Sequence, residues 1–210
     1  MKIAIATALL VAATPGHAAP DPTDVTFYSK VSHVFRDGEL SGCSAIFDVL
    51  HRDAEYQQGE YVHVSGSLSY AVINNAPYFT LKLGVRPNPD TSQSFVAPAE
   101  AFLIDGITTN KANAIPAINA ELAGFRMFPF HGLDPTSTMA VTFVDKGKLT
   151  FGYAMEESGT LSVVDADLRI ARVDVDRGGL IERAPDAPGK WLECVGDVTS
   201  LAVTKARKQN

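Results

Sequence analysis

Apolar and polar side chains alternate along residues 62–72 and again along 78–85. A period of two is typical of a β-strand with one buried face. The run Asn-Asn-Ala-Pro at 74–77 consists of turn formers, so the two segments are predicted to form a β-hairpin. A loop over these four residues pairs Val72 with Phe79 and places both apolar faces on the same side of the sheet.

A second hairpin is predicted from alternation over residues 139–144 and 149–155. A three-residue loop at 145–147 brings the two apolar faces together by pairing Val141 with Phe151. Gly147 then takes the left-handed conformation that such loops require.

The remaining strands carry weaker signals. Shorter alternating runs predict strands at residues 25–35, 161–175 and 191–203, and a further hairpin at 102–109. Asp105-Gly106 supplies the tight turn of that hairpin, because this pair readily adopts positive φ angles. The strand at 161–175 changes phase, which predicts a β-bulge near Arg172.

Two segments carry helical signals. Residues 116–123 have proline in the first turn and Gly124 after the end, which predicts a short helix. Residues 43–58 fit either a helix capped by Ser44 or an alternating strand, and we favour the strand, followed by a loop at 52–60. The elements together predict a mainly β fold, an antiparallel two-layer β-sandwich with one or two short helices.

The N-terminus has the pattern of a cleavable signal peptide over residues 1–18. Lys2 precedes an apolar run of 11 residues at 3–13, and Gly16-His17-Ala18 places small residues before the expected cut. The run is shorter than the roughly 20 residues that span a bilayer. We expect cleavage after Ala18, with Ala19 as the alternative, and a single periplasmic or secreted domain over 19–210.

Charge and cysteine content narrow the compartment and the partners. The formal net charge of −6 argues against nucleic acid and against anionic lipid as partners, because both carry phosphates. The chain has two cysteines, Cys43 and Cys194, which predict a disulfide in an oxidising compartment. A redox or metal pair is disfavoured, since neither a CxxC motif nor Cys-His clustering occurs.

Candidate chemistry is sparse in this sequence. Beyond the predicted signal peptide the histidines are His33, His51, His63 and His131, and their spacing is not that of zinc ligands on one element. The sequence contains neither a GxSxG motif nor a glycine-rich phosphate loop. We therefore assign no catalytic residue, no metal ligand and no cofactor from the sequence.

The most unusual local composition lies at residues 125–132, which hold three phenylalanines, a methionine and an arginine. Such side chains are enriched at protein interfaces, which predicts a binding patch there. The predicted patch consists of Arg126, Phe128, Phe130 and His131, joined by Arg86 and Phe95 if the loops converge. The alternative interpretation is a core strand, because aromatic residues dominate cores as well.

A well-patterned scaffold without catalytic motifs predicts a non-catalytic exported module that binds through loops of a β-sandwich. Its partner is an unknown protein or small ligand of the cell envelope. The module itself is expected to have no transmembrane segment after signal cleavage. The alternative is a periplasmic hydrolase or metal-assisted enzyme that uses His51, His63 or His131 with nearby carboxylates. This alternative requires metal in the protein, or two of those histidines within about 5 Å around a pocket.

Overall fold

A computed structural model describes residues 24–74, 76–87, 93–104, 109–111, 118–131, 146–174 and 177–209. The predicted signal peptide and the predicted strand at 139–144 lie outside these residues. Within them the elements are β1 (Val25–Arg36), β2 (Glu39–Asp53), β3 (Glu60–Ile73), β4 (Ala76–Pro87), β5 (Glu100–Ile104), β6 (Thr109–Lys111), β7 (Ile118–Asn119), β8 (Arg126–His131), β9 (Lys148–Ala154), β10 (Ser162–Asp167), β11 (Ile170–Asp174), β12 (Leu180–Arg183) and α1 (Ala187–Gln209).

The described strands form two antiparallel sheets. The large sheet has the order β12-β11-β1-β2-β3-β4-β8-β7, and the small sheet has the order β10-β9-β5-β6. The predicted mainly β, antiparallel sandwich is therefore confirmed. Instead of one or two short helices, a single long helix, α1, is present in the described part of the chain.

The core lies against one face of the large sheet, where the small sheet covers one part and α1 covers another. Phe47 of β2 packs on Phe151 of β9, with ring centroids 5.0 Å apart. Phe79 of β4 lies 6.1 Å from the ring of Trp191 in α1. We call the opposite face of the large sheet the outer face, because neither the small sheet nor α1 packs against it.

The hairpin of β3 and β4 is confirmed, but its predicted register is wrong by two residues. Tyr70, not Val72, pairs with Phe79, and Ile73 pairs with Ala76, so the turn has two residues. Asn74 in this turn has a φ of 51°. Two-residue turns with positive φ match the twist of the flanking strands. The alternation could not reveal the shift, because any even shift keeps the same face buried.

The strands predicted at 25–35 and from residue 43 are confirmed as β1 and β2. The hairpin predicted at 102–109 is present as β5 and β6, but its predicted register is wrong, and the predicted turn residues Asp105-Gly106 lie outside the described residues. Ile104 pairs with Thr109, so the connection comprises residues 105–108 rather than the Asp-Gly pair alone.

The strand predicted at 149–155 is present as β9, with a different partner from the one predicted. Phe151 pairs with Leu103 on one side and with Val164 on the other, so the predicted pairing with Val141 is wrong. Gly147 has a φ of 67°, which confirms its predicted left-handed conformation.

The long strand predicted at 161–175 is two strands that belong to different sheets. The chain leaves β10 in the small sheet and enters β11 in the large sheet through a turn at Leu168 and Arg169. The predicted bulge is confirmed, because the register of β11 against β12 shifts between Ile170 and Arg172. The change of phase thus has two causes, a bulge and a crossing between layers.

The strand predicted at 191–203 is wrong, since these residues lie in α1. Trp191, Cys194 and Val198 are buried, and their spacing of three and four residues is that of one helix face. The predicted disulfide between Cys43 and Cys194 is confirmed, and it joins β2 to α1 with Cα atoms 6.0 Å apart. No helix in the described part of the chain is long and apolar enough to cross a bilayer.

The short helix predicted at 116–123 is also wrong over the residues that the structure describes. Ile118 and Asn119 form β7, which pairs with Met127 and Arg126 of β8. Backbone pairing with β8 at the edge of the large sheet thus overrides the local helical preference. Residues 116 and 117 lie outside the described residues.

Candidate functional site

The predicted binding patch does not form one surface. Phe128 and Phe130 are only 2% and 3% exposed and belong to the hydrophobic core, which is the alternative interpretation of this segment. Arg126 is half-buried and donates a hydrogen bond from Nη1 to the Pro98 carbonyl at 3.2 Å. His131 pairs with Tyr78 through its backbone at the end of β8, and its side chain lies outside the described residues.

Arg86 and Phe95 do come together, on the outer face of the large sheet. The Arg86 guanidinium carbon lies 5.0 Å from the centroid of the Phe95 ring. An antiparallel bridge between Val85 and Val96 fixes this position, because it lays the segment carrying Phe95 beside β4. The ring of Phe95 also packs on that of Phe125, with centroids 4.8 Å apart.

His63 connects Arg86 to a carboxylate on the neighbouring strand. Arg86 Nη2 donates to His63 Nδ1 at 2.8 Å, and His63 Nε2 lies 2.8 Å from Asp48 Oδ1. A guanidinium has only donors, so Nδ1 must be the acceptor and the proton lies on Nε2, which donates to Asp48. We call Asp48, His63, Arg86, Phe95 and the buried Phe125 the outer-face cluster.

Local sequence explains how this cluster fits onto a strand surface. Phe125 lies over Gly84 of β4, where a Cβ atom would come within 2.9 Å of the Phe125 ring. Gly84 thus leaves room for an aromatic ring on the outer face. The hydroxyls of Ser65, Ser67 and Ser69 continue along β3 beside the cluster, all of them half-buried.

His51 lies on the opposite face of the sheet, between the two layers. Its Nδ1 is 2.7 Å from Asp24 Oδ1, and its Nε2 is 2.9 Å from Ser162 Oγ. Each distance is that of a normal hydrogen bond. The order of serine, Nε2, Nδ1 and aspartate is the order found in the catalytic triad of serine hydrolases.

The hydrogen bonds continue from Ser162 to a second carboxylate. Ser162 is the cross-strand partner of Tyr153 and hydrogen-bonds with its hydroxyl. Tyr153 donates in turn to Asp53 Oδ2 at 2.5 Å. We call Asp24, His51, Ser162, Tyr153 and Asp53 the buried polar chain, because it links two carboxylates through the interior of the sandwich.

Both carboxylates of the buried polar chain have further partners. Asp24 Oδ2 accepts a hydrogen bond from the backbone N–H of Asp165 at 2.8 Å. Asp53 Oδ1 accepts from the backbone N–H groups of Glu55 and Tyr56, at 3.0 and 2.9 Å. Polar groups are stable in the interior of a protein where hydrogen bonds satisfy them. The chain therefore ties β1, β2, β9 and β10 together.

His51 and His63 do not converge. His51 points between the layers and His63 points to the outer face, since His51 pairs with Val62, the neighbour of His63 in β3. Among the described residues, no three His, Cys, Asp or Glu side chains are placed to hold a metal ion. The condition set for the enzyme alternative, two histidines close together around a pocket, is not met by His51 and His63.

The buried polar chain and the outer-face cluster differ in their accessibility to solvent, and this limits the function of each. Ser162 and His51 are each 3% exposed, so a substrate in solution does not reach the serine hydroxyl in this conformation. Arg86, Phe95, His63 and Asp48 are half-buried and reach the surface.

Comparison with known proteins adds no family assignment. No family model, curated protein or solved structure matches this chain. The function is therefore inferred from which side chains are accessible and from the chemistry they offer.

Sequence reasoning named His51 as a candidate but missed Asp24, Ser162, Tyr153 and Asp53. The members of the chain come from three strands and the residue preceding β1, and His51 and Ser162 are separated by 111 residues. No short-range spacing connects them, so only the pairing of β9 with β10 and the packing of the two sheets brings them together. The alternation of β9 and β10 was the one available signal, because it placed Tyr153 on a buried face.

The buried polar chain predicts a loss of stability at high pH. Burial, and next the charge of Asp53, raise the pKa of Tyr153 well above its ordinary value of 10.0. The folded protein then holds this proton more tightly than the unfolded chain. The resulting stability is complete below about pH 10 and is lost as the pH rises toward the folded pKa. Above about pH 10 this one group should lower the free energy of unfolding by up to about 1.4 kcal/mol per pH unit.

Urea denaturation at a series of pH values from about 8 to 11.5 measures this effect. Tyr153→Phe should lack this component of the pH dependence, whereas Tyr61→Phe, at an exposed tyrosine of β3, should keep it. The same slope above about pH 10 in wild type and in Tyr153→Phe would show that Tyr153 does not titrate with unfolding.

Proposed function

We propose that this protein is a non-catalytic binding module exported to the periplasm, and that it binds its partner through the outer-face cluster. The pattern of residues 1–18 supports export, and the Cys43–Cys194 disulfide fits an oxidising compartment outside the cytosol. The partner is a protein or small ligand of the cell envelope. The observation that carries the proposal is the convergence of Arg86 and Phe95 on a face that neither the small sheet nor α1 covers.

The chemistry of the cluster suits a partner with an apolar face and a hydrogen-bond acceptor. Phe95 offers a ring, and a guanidinium has five N–H donors, of which Arg86 uses one toward His63. Arg86 Nε is buried and has no hydrogen-bond partner among the described residues, so a partner must be bound through the terminal nitrogens of the guanidinium. Arginine and aromatic residues are the side chains that most often dominate binding energy at interfaces. The serine hydroxyls of β3 extend the polar part of this surface.

Photo-crosslinking in the producing cell tests the proposal. With p-benzoylphenylalanine in place of Phe95, we expect an adduct whose mass identifies either a protein or a small ligand. Val96 is the matched control, since it is exposed, adjacent in sequence and directed to the other side of its segment. Arg86→Ala should abolish the adduct at position 95 without changing the near-ultraviolet circular dichroism. Equal adducts at 95 and 96, or none at 95, would contradict the proposal.

A hydrolase is the second candidate, and the order of Ser162, His51 and Asp24 is the specific observation that favours it. The buried position of Ser162 counts against it, because a nucleophile must reach the substrate. We therefore expect a fluorophosphonate probe to leave Ser162 unlabelled in the folded protein, as read by peptide mass spectrometry. Labelling of Ser162 that His51→Ala abolishes would make the hydrolase the better assignment. Ser162→Ala is the control for labelling at other serines.

A further inference from the structure

One end of the large sheet is built from two β-turns and the end of α1. The turn between β1 and β2 and the turn between β3 and β4 lie at the same end, because Gly42 pairs with Ala71. The helix runs toward this end, since Thr199 hydrogen-bonds Tyr70 and Lys205 forms an ion pair with Glu39. We call the two turns and residues 205–208 of α1 the turn end.

Large apolar side chains at the turn end face solvent. Phe35 is 64% exposed, and its neighbour Val34 is 43% exposed. Ile73 is 53% exposed on the adjacent hairpin, two strands away from Phe35 in the sheet. Val34 lies on the same side of the sheet as Gly42 and Ala71, and Ile73 follows Ala71 by two residues on that side. Phe35 projects from the other side, beside the ring of His33. Exposed apolar side chains thus border this end of the sheet on both of its sides.

The charge at the turn end is opposite in sign to the charge of the whole chain. The cations here are Arg36, Lys205, Arg207 and Lys208, all exposed. The carboxylates are Asp37 and Glu39, and Glu39 is already paired with Lys205. The turn end thus carries a formal excess of two positive charges, whereas the chain as a whole carries −6.

We propose that the turn end rests on a membrane surface that carries anionic lipid headgroups. Exposed apolar side chains ringed by lysine and arginine are the features by which peripheral proteins attach to such surfaces. Phe35, Val34 and Ile73 enter the interfacial region, and the cations contact lipid phosphates. Net charge over the whole sequence argued against this partner, but the charge is unevenly distributed, and only the end that touches the surface determines the attraction within a Debye length.

This attachment also fixes an orientation. The long strands β1–β4 then run roughly perpendicular to the membrane surface. The turn between β11 and β12 lies at the end of the sheet that is farther from the lipid. The outer-face cluster lies along the side of the sheet, away from the lipid. Membrane attachment involves only the turn end, so it is independent of binding at the outer-face cluster.

Vesicle flotation tests the proposal with protein purified after expression from the full-length sequence. The probes are vesicles of phosphatidylcholine and vesicles in which about 30% of the lipid is phosphatidylglycerol. We expect flotation with the anionic vesicles only, and its loss at high salt, because the attraction is screened. Flotation with neutral vesicles to the same extent would overturn the proposal, since the charge of the lipid headgroups would then play no part in the attachment.

Two double variants and one control assign the binding to the turn end. Phe35→Ser with Ile73→Ser, and Arg207→Gln with Lys208→Gln, should each lower the bound fraction on anionic vesicles about tenfold. Leu180→Ser is the matched control, since Leu180 is 59% exposed at the opposite end of the sheet. Near-ultraviolet circular dichroism verifies that each variant is folded. Unchanged binding in either double variant would overturn the proposal.

Self-association is the competing outcome for the turn end, and the same variants detect it. Sedimentation that gives a dimer in wild type and a monomer in Phe35→Ser with Ile73→Ser, without vesicle binding, would assign the turn end to a second copy of this chain. That result would overturn the lipid proposal. Crosslinking at Phe95 and flotation are read out independently, so the failure of one leaves the other standing.

Discussion

Replacing Cys43 and Cys194 together with alanine should lower the free energy of unfolding by about 2–5 kcal/mol. The bond closes a loop with a sequence separation of 151 residues, which greatly restricts the unfolded chain. Both sulfur atoms are buried where α1 meets β2, so the folded state loses packing as well. Chemical denaturation of the oxidised wild type and the double variant measures the difference.

Wild-type protein held under reducing conditions is the control for this prediction, because it loses the bond and keeps both side chains. It should unfold at a denaturant concentration close to that of the double variant. A loss of less than about 1 kcal/mol would indicate that the unfolded chain is already compact around these residues.

Phe130→Ala should destabilise the fold by about 3–5 kcal/mol, because it removes a buried aromatic side chain from the core and leaves a cavity. Phe95→Ala is the matched control, since the same truncation at a half-buried ring of the outer face leaves a site open to water. Its expected cost is about 1–2 kcal/mol, within the range of ordinary substitutions. Thermal or urea denaturation of the two variants separates core from surface.

The stabilities of the two variants test two assignments. Phe130→Ala tests whether Phe130 belongs to the core, and Phe95→Ala tests whether the outer-face cluster is a binding surface. A Phe130→Ala protein as stable as wild type would place that ring outside the core and revive the binding patch predicted from composition. Strong destabilisation by Phe95→Ala would instead make the outer-face cluster a packing feature rather than a binding surface.

Alternation predicted the long strands because a half-buried strand must present one apolar face. It could not determine the β3–β4 register, since pairing Val72 with Phe79 or Tyr70 with Phe79 buries the same side of the hairpin. The turn chemistry at Asn74 was the deciding signal, and it favours the shorter loop.

The C-terminal helix was missed for a different reason. A segment such as 191–203 contains apolar residues at both even and odd positions, so a partial alternation can be found within a helical pattern. The buried residues Trp191, Cys194 and Val198 follow the helical period, and that spacing was present in the sequence. This spacing of three and four residues distinguishes the helix from the alternating strands.

The two candidate sites depended on tertiary pairing to different degrees. The polar face of residues 62–72 placed His63 on the outside, but the predicted register paired His63 with residue 88, and only the observed register places it beside Arg86. The buried polar chain could not be predicted, because Ser162 joins His51 only after β10 crosses over β2 in the second layer.

The sequence separation of 151 residues between Cys43 and Cys194 affects how their disulfide forms. During synthesis Cys43 emerges long before its partner, so an oxidant acting on the nascent chain meets a single thiol. The native bond can form only after Cys194 has been translated, 151 residues after Cys43, and α1 has docked. In an oxidising compartment a thiol that stays unpaired until then is open to mixed disulfides, and thiol exchange must release it before the native bond forms.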